Sequence, residues 1–179
     1  MGADAPLRGM YGHAAATADV NADGWLDLFV GTFADKATAR YQYRGATGPS
    51  PDRLLLGGPN GFRAWTALPL DAGRTSGAAF ADLDADSDPD LVVTRNLKRG
   101  SPETGALLLE NDGGRFGEPR PLPVGTGARA IAVTDVDRDQ RLDLVVVGDR
   151  FAGGSTAVLR NGGGLNFTDV TPTTGIEPS

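Results

Sequence analysis

A nine-residue acidic pattern that occurs three times constrains this chain more than any other feature of its sequence. The three copies lie at 19–27, 82–90 and 135–143 and read DVNADGWLD, DLDADSDPD and DVDRDQRLD. Oxygen-bearing side chains stand at positions 1, 3, 5 and 9, and position 6 of the first copy is Gly24, which tolerates the positive φ of a sharp turn. Alternate spacing on such a loop points the oxygens inward, and Ca²⁺ binds about six to eight oxygens. The pattern therefore predicts cation-binding loops.

Apolar segments recur in register with the loops, which makes the chain an internal repeat. A strand of small residues is predicted before each loop, at 13–18, 76–81 and 128–134. A second strand leaves each loop, at 26–30, 90–93 and 142–147. A third strand, ending in a Gly- and Asn-rich turn, is predicted at 53–56, 106–109 and 157–160. A fourth is predicted to open at an aromatic residue, Phe62, Phe116 or Phe167. Each unit is therefore predicted to be a four-stranded antiparallel meander.

Repeated four-stranded antiparallel units are typical of β-propeller blades. The 26 glycines and 12 prolines suit many short strands and tight turns. We therefore predict an all-β fold, with residues 1–179 as a single propeller segment whose blades span about 10–70, 71–124 and 125–176. Propellers close with roughly four to eight blades. Three blades predict either a partial propeller or a ring closed by self-association.

The first unit carries an insertion relative to the others. Its loop begins 63 residues before the second loop, whereas the second begins 53 residues before the third. The extra residues lie at roughly 34–51 and include Lys36, Arg40, Tyr41, Tyr43 and Arg44. An aromatic and basic insertion on a scaffold loop is a candidate for partner contact, and a solvated loop is the alternative.

The charge of the chain limits its partners and its location. The formal net charge is −6, and 12 of the 23 acidic residues lie inside the three loops, so three Ca²⁺ ions would neutralise the chain. This balance argues against nucleic acid or an anionic membrane surface as the partner.

No apolar run is long enough for membrane insertion, residues 1–10 lack a signal-peptide core, and there is no cysteine. Weak calcium sites fill outside cells, at about 10⁻⁴ to 10⁻³ M, which favours an extracellular or cell-surface location.

With these motifs, the units resemble the FG-GAP/VCBS repeats of integrin-α-like propellers, whose loops read Asp-x-Asp-x-Asp-Gly-x-x-Asp-Leu between the first two strands of a blade. The last unit, at 159–171, is also similar to repeats that precede ASPIC/UnbV domains. The resemblance covers about residues 11–176. It implies calcium-binding loops on a propeller that serves adhesion, ligand binding or carbohydrate recognition, in some cases as an accessory to an enzyme.

Carried onto this sequence, the resemblance implies up to three bound Ca²⁺ ions. Each would be held by four side chains and, at position 7, one backbone carbonyl. The implied ligands are Asp19, Asn21, Asp23, Trp25 (carbonyl) and Asp27; Asp82, Asp84, Asp86, Asp88 (carbonyl) and Asp90; and Asp135, Asp137, Asp139, Arg141 (carbonyl) and Asp143. Position 6 departs from the family pattern at Ser87 and Gln140, where a left-handed backbone costs on the order of 1 kcal/mol. The first loop therefore has the better backbone, and the other two have one more carboxylate.

Other interpretations of the loops fit less well. An EF-hand needs a glutamate at position 12, where this chain has Val30, Val93 and Val146 in predicted strands. An RTX β-roll needs tandem glycine-rich nonapeptides, which are absent. Asp-rich turns without metal remain an alternative.

Catalytic signals are weak. With one histidine and no cysteine, a His-based triad would depend on His13, whose expected role is structural. Trp25 and Trp65 could stack on a sugar, although packing is their expected role. We therefore expect a non-catalytic extracellular calcium-binding propeller module for adhesion or for recognition of a protein or glycan ligand. An accessory propeller segment of a carbohydrate-active or other secreted enzyme is the alternative.

Overall fold

The computed structural model describes residues 7, 12–33, 51–65, 68–70, 74–97, 102–150 and 153–176. Within these ranges the regular structure is β-strand, apart from short helical turns such as the 3-10 helix Thr171–Thr173. In the part of the chain that the structure describes, no helix is long and apolar enough to cross a membrane. The insertion residues Lys36, Arg40, Tyr41, Tyr43 and Arg44 lie outside the described residues.

Three four-stranded antiparallel sheets follow one another along the chain and form its blades. Blade 1 contains β1 (Gly12–Ala18), β2 (Asp27–Thr32), β3 (Arg53–Leu56) and β4 (Arg63–Trp65) in that order. The next strands are β5 (Thr75–Ala81), β6 (Asp90–Arg95), β7 (Ala106–Leu109), β8 (Asn111–Asp112), β9 (Arg115–Phe116) and β10 (Arg120–Pro121). Blade 2 has the order β5-β6-β7-β10, while β8 and β9 form a separate hairpin. Blade 3 contains β11 (Ala128–Thr134), β12 (Asp143–Gly148), β13 (Ala157–Asn161) and β14 (Phe167–Asp169) in that order.

The predicted all-β fold with propeller-like blades is confirmed, and the described strands form no closed sheet. The first strands lie side by side, with β5 between β1 and β11. Their small residues permit this approach. A Cβ on Gly77 of β5 would lie 3.1 Å from the Cα of Ala130 in blade 3. Gly31 of the neighbouring β2 is similarly crowded, since a Cβ there would lie 2.4 Å from Cγ2 of Thr75 in blade 2.

Apolar side chains fill two layers between the blades. Because side chains alternate along a strand, β6 contributes to both layers: Leu91 and Val93 pack toward blade 1, and Val92 packs toward blade 3. The layer between blades 1 and 2 contains Val20, Phe29, Leu54, Leu56, Leu91, Val93 and Leu109. The layer between blades 2 and 3 includes Leu83, Val92, Leu108, Leu144, Val146 and Leu159. The core of the fold is therefore the set of contacts between blades.

The fourth strand of blade 2 differs from the sequence prediction. Phe116 does not open that strand but ends β9, because the turn at Gly113 and Gly114 first folds a local hairpin. The chain reaches the edge of the sheet only at Arg120 and Pro121, which pair with β7. A proline is tolerated there because an edge strand leaves one side unpaired. Phe167 opens β14 as predicted, and Phe62 precedes β4 by one residue.

Candidate metal-binding loops

The three acidic loops share one backbone conformation, which the position-1 aspartate organises. In the first loop, Asp19 Oδ1 accepts the N–H of Asp23 at 3.1 Å and Oδ2 accepts the N–H of Gly24 at 2.8 Å. The same pair of bonds runs from Asp86 and Ser87 to Asp82, at 3.2 and 3.0 Å, and from Asp139 and Gln140 to Asp135, at 3.2 and 3.0 Å. Position 1 therefore holds the loop through two backbone hydrogen bonds.

Position 6 adopts the left-handed backbone in all three loops. Its φ is 87° at Gly24, 81° at Ser87 and 71° at Gln140. The two substitutions thus leave the turn intact at a backbone cost of about 1 kcal/mol each. Position 4 is also left-handed, at Ala22, Ala85 and Arg138, which the spacing of the oxygens did not indicate.

The position-9 aspartates are buried and act as braces. Each of them, Asp27, Asp90 and Asp143, is no more than 1% exposed. One oxygen accepts the N–H of loop position 2, at 2.9, 3.0 and 2.8 Å. The other accepts the N–H of the residue that ends or follows the third strand, which is Gly57, Asn111 or Asn161, at 2.8, 2.9 and 2.8 Å. Sequence reasoning treated position 9 only as a ligand and missed this role, although its place at the start of a strand was a signal.

The second and third loops each bring three carboxylates together. Oxygens of Asp82, Asp84 and Asp86 lie within 4.8 Å of one another, as do oxygens of Asp135, Asp137 and Asp143. These clusters could hold a metal ion, and an all-oxygen donor set fits a hard cation such as Ca²⁺. In the first loop an amide replaces one carboxylate: Asn21 donates its Nδ2 to Asp23 Oδ2 at 3.0 Å.

The remaining implied ligands have other partners. In the third loop Asp139 forms an ion pair with Arg141, whose Nε also donates to the carbonyl of Asn161 at 2.9 Å. In the second loop Asp88 Oδ2 accepts the N–H of Gly113 at 2.8 Å. The backbone N–H of each position-7 residue, Trp25, Asp88 and Arg141, donates to the position-5 carboxylate at 2.9 to 3.0 Å.

Burial and crowding of the carboxylates in the second loop disfavour their ionised forms. Burial raises the pKa of Asp90 to about 6, with a further increase from the nearby charges of Asp84 and Asp86, although the N–H groups of Asn111 and Leu83 oppose it. Burial and then the charge of Asp86 also raise the pKa of Asp84. A divalent cation at this point would favour the ionised carboxylates.

Asparagines at the end of the third strand connect neighbouring loops, and the sequence analysis did not single them out. Asn111 donates its Nδ2 to the carbonyl of Val20, in the loop of blade 1, at 2.9 Å. Asn161 donates in the same way to the carbonyl of Leu83, in the loop of blade 2, at 2.7 Å. Both asparagines are fully buried. The equivalent residue of blade 1 is Gly57, which makes the same backbone bond to its position-9 aspartate.

The histidine and the two tryptophans lie in different surroundings. His13 packs against Phe33 with ring centroids 4.9 Å apart, and the Arg74 guanidinium lies 5.0 Å from the same phenyl ring. Trp65 is half-buried and packs against the layer between blades 1 and 2. Trp25, in the first loop, is 48% exposed, so packing in the core does not explain why a tryptophan stands at this position.

Comparison with known families agrees with the loops and blades. Residues 19–93 match the model of an FG-GAP-like repeat, from the first residue of the first loop to β6 in blade 2. No curated protein sequence matches the chain. Blade 3 repeats the strand order of blade 1 and the loop hydrogen bonds of the matched region. Residues 19–93 are therefore an FG-GAP-like repeat region.

Proposed function

We propose that this chain is a calcium-binding propeller module that acts outside the cell in adhesion or ligand recognition and catalyses no reaction itself. The observation that carries the proposal is the clustering of three carboxylates within 4.8 Å in each of the second and third loops. Like charges at this separation repel one another, and a bound divalent cation would replace that repulsion by attraction. Among the described residues, the cluster of Asp82, Asp84 and Asp86 has no ion pair with a basic side chain.

We infer that the loops stabilise the fold rather than switch it. Each position-9 aspartate joins its loop to the end of the third strand, and Asn111 and Asn161 join that point to the loop of the preceding blade. An ion bound in one loop would therefore restrain two blades. The loops are exposed and their backbones are strained, so we expect them to bind calcium weakly. Weak affinity is typical of extracellular calcium-binding modules, which supports an extracellular or cell-surface location.

The outer face of blade 3 is the surface where we expect a further blade to pack, from a longer chain or from a second copy. Val136 and Val147 on this face are 41% and 43% exposed. Val20 and Leu83, which occupy the same loop position as Val136, are 1% and 3% exposed because the next blade covers them. A groove of about 510 Å³ runs over the face and is lined by Val136, Val145, Val158, Val170 and Ile176. Sedimentation equilibrium with calcium tests the second source, because a second copy that covers this face would produce a dimer.

Thermal unfolding with calcium and with chelator tests the proposed function. A ligand that binds only the native state stabilises it by about 2.7 kcal/mol at one hundred times its Kd, so millimolar calcium should raise the unfolding temperature. Magnesium at the same concentration is the matched control, since it demands a smaller octahedral site. An unfolding temperature that millimolar calcium does not change would refute the metal proposal.

A further inference from the structure

We propose that blade 1 carries a saccharide-binding groove between its acidic loop and the turn that follows β3. The proposal rests on the proposed role in ligand recognition and assigns that role a site and a ligand class. The groove has a volume of about 430 Å³, and its walls include Asp23, Trp25, Asn60, Phe62 and Arg63. The glycine-rich turn at 57–61 also lines the groove.

Two aromatic rings border the groove. Trp25 on the loop side and Phe62 on the turn side are each 48% exposed. Exposed aromatic rings at one groove leave apolar surface in contact with water, and a ligand with a flat apolar face would cover it. The C–H face of a pyranose ring is such a surface, while its edge carries hydroxyl groups. Among the described residues the indole N–H of exposed Trp25 has no hydrogen-bond acceptor.

Polar side chains in the groove complement those hydroxyl groups. Asp23 supplies acceptor oxygens, Arg63 supplies donors, and the amide of Asn60 supplies both. The side chains of Asn60 and Arg63 are exposed and hydrogen-bond to none of the described residues. Aromatic walls with a few convergent donors and acceptors are the ordinary composition of a small-molecule site.

The equivalent position is closed by hydrogen bonds in the other two blades. In blade 2 the position-7 residue, Asp88, accepts the N–H of Gly113 in the turn after the third strand. In blade 3 the position-7 residue, Arg141, donates to the carbonyl of Asn161 at the same place. Both bonds join the acidic loop to the turn. Position 7 of blade 1 is Trp25, whose side chain makes no such bond with the described residues, and both Trp25 and the turn line the groove.

The groove shares residues with the first acidic loop. Trp25 donates its backbone N–H to Asp23 Oδ1 at 3.0 Å, and Asp23 is a candidate calcium ligand that also lines the groove. An ion in this loop would restrain the backbone of Trp25 at the edge of the groove.

Titration of the purified chain with neutral oligosaccharides in millimolar calcium tests the proposal. The probes are cello-, xylo-, manno- and chito-oligosaccharides, followed by calorimetry and by the fluorescence of the two tryptophans. We expect saturable binding of at least one series. Replacing the stacking ring by Trp25→Ala or Phe62→Ala should weaken it about tenfold or more, as for other buried aromatic anchors. Leu26→Ala is the matched control, because Leu26 is 63% exposed beside Trp25 and does not line the groove.

The outcomes separate this proposal from the proposed calcium function. Equal unfolding temperatures of Trp25→Ala and the wild type in calcium verify that the variant is folded. If no series binds the wild type, or if Trp25→Ala binds as tightly as Leu26→Ala, the groove is not a saccharide site, and calcium-dependent stabilisation is unaffected by that result. If calcium does not stabilise the chain but saccharide binding that depends on Trp25 is observed, the saccharide site is supported and the metal proposal is refuted.

Discussion

The side-chain amide of Asn161 donates a hydrogen bond of 2.7 Å to the backbone carbonyl of Leu83, which lies 78 residues earlier in the chain. Leu83 in turn donates its N–H to Asp90, which also accepts the N–H of Asn111. Asn111 continues the series by bonding the carbonyl of Val20 in blade 1. The acidic loops of the three blades are thus linked by one continuous set of hydrogen bonds.

This linkage predicts that the asparagines stabilise the assembly of blades. Asn161→Ala should lower the free energy of unfolding by roughly 1–3 kcal/mol, because it removes the amide donor from the buried bond to the carbonyl of Leu83 and from the part-buried bond to that of Leu142. Denaturant unfolding monitored by fluorescence measures the change. Asn60→Ala is the control, since Asn60 is exposed and its side chain bonds none of the described residues. Similar losses in both variants would contradict the role assigned to Asn161.

Positions 3 and 9 of a loop should respond differently to removal of a charge. Asp84→Asn should weaken calcium binding without lowering the calcium-free stability, because among the described residues Asp84 accepts a single N–H bond, of 3.3 Å from Asp86, and burial and the nearby charge of Asp86 disfavour its ionised form. Asp90→Asn should destabilise the protein by about 1–3 kcal/mol with or without calcium, because an amide nitrogen replaces one of two buried acceptors. Melts of both variants in chelator and in calcium distinguish these effects. If Asp90→Asn changed only the calcium dependence, its brace role would be wrong.

The raised pKa of Asp90 predicts a pH dependence for the calcium-free protein. Its pKa is about 6 in the folded state and 3.8 as the reference value, so the protonated carboxyl favours folding. This contribution is fully present below pH 3.8 and is lost as the pH rises through about 6. Asp52, whose pKa burial also raises, contributes in the same direction.

Unfolding of the calcium-depleted protein between pH 4 and 7 measures the effect. Asp90→Asn should reduce the loss of stability over this range relative to the wild type. Asp112→Asn is a control, because Asp112 is exposed on the β8–β9 hairpin. Identical pH profiles for the wild type and Asp90→Asn would show that Asp90 does not titrate in this range.

Position 6 of the loops allows a test of backbone strain alone. Gly24→Ala should destabilise the protein by about 1 kcal/mol, because φ is 87° there and a Cβ would have no atom within 4 Å. Ser87→Gly should stabilise it by about 0.5–1 kcal/mol for the same reason, with Ser87→Ala as the control. Calcium-free thermal unfolding measures each variant. A stabilising Gly24→Ala would mean that the loop does not hold its left-handed turn in solution.

Features that depend on near neighbours were predictable from the sequence. The spacing of oxygens at 19–27 and the left-handed turn at Gly24 involve residues within one loop, so the pattern alone indicates them. The fourth strand of blade 2 was mispredicted because two candidates, at Phe116 and at Arg120, compete for one sheet edge. The formation of the β8–β9 hairpin and the pairing of β10 with β7 decide between them. The repeat pattern of the sequence indicates neither of these contacts.

The sequence by itself determined the all-β class, the repeated blades and the position of each acidic loop, because short-range periodicity and turn residues specify them. Only the tertiary structure decided that Asp90 is a buried brace, that Asn161 joins two blades, and that Trp25 is exposed whereas Trp65 is half-buried. The physical reason is distance along the chain. Each of these roles depends on which remote segment packs against the residue, and hydrogen bonding and burial are set by those contacts.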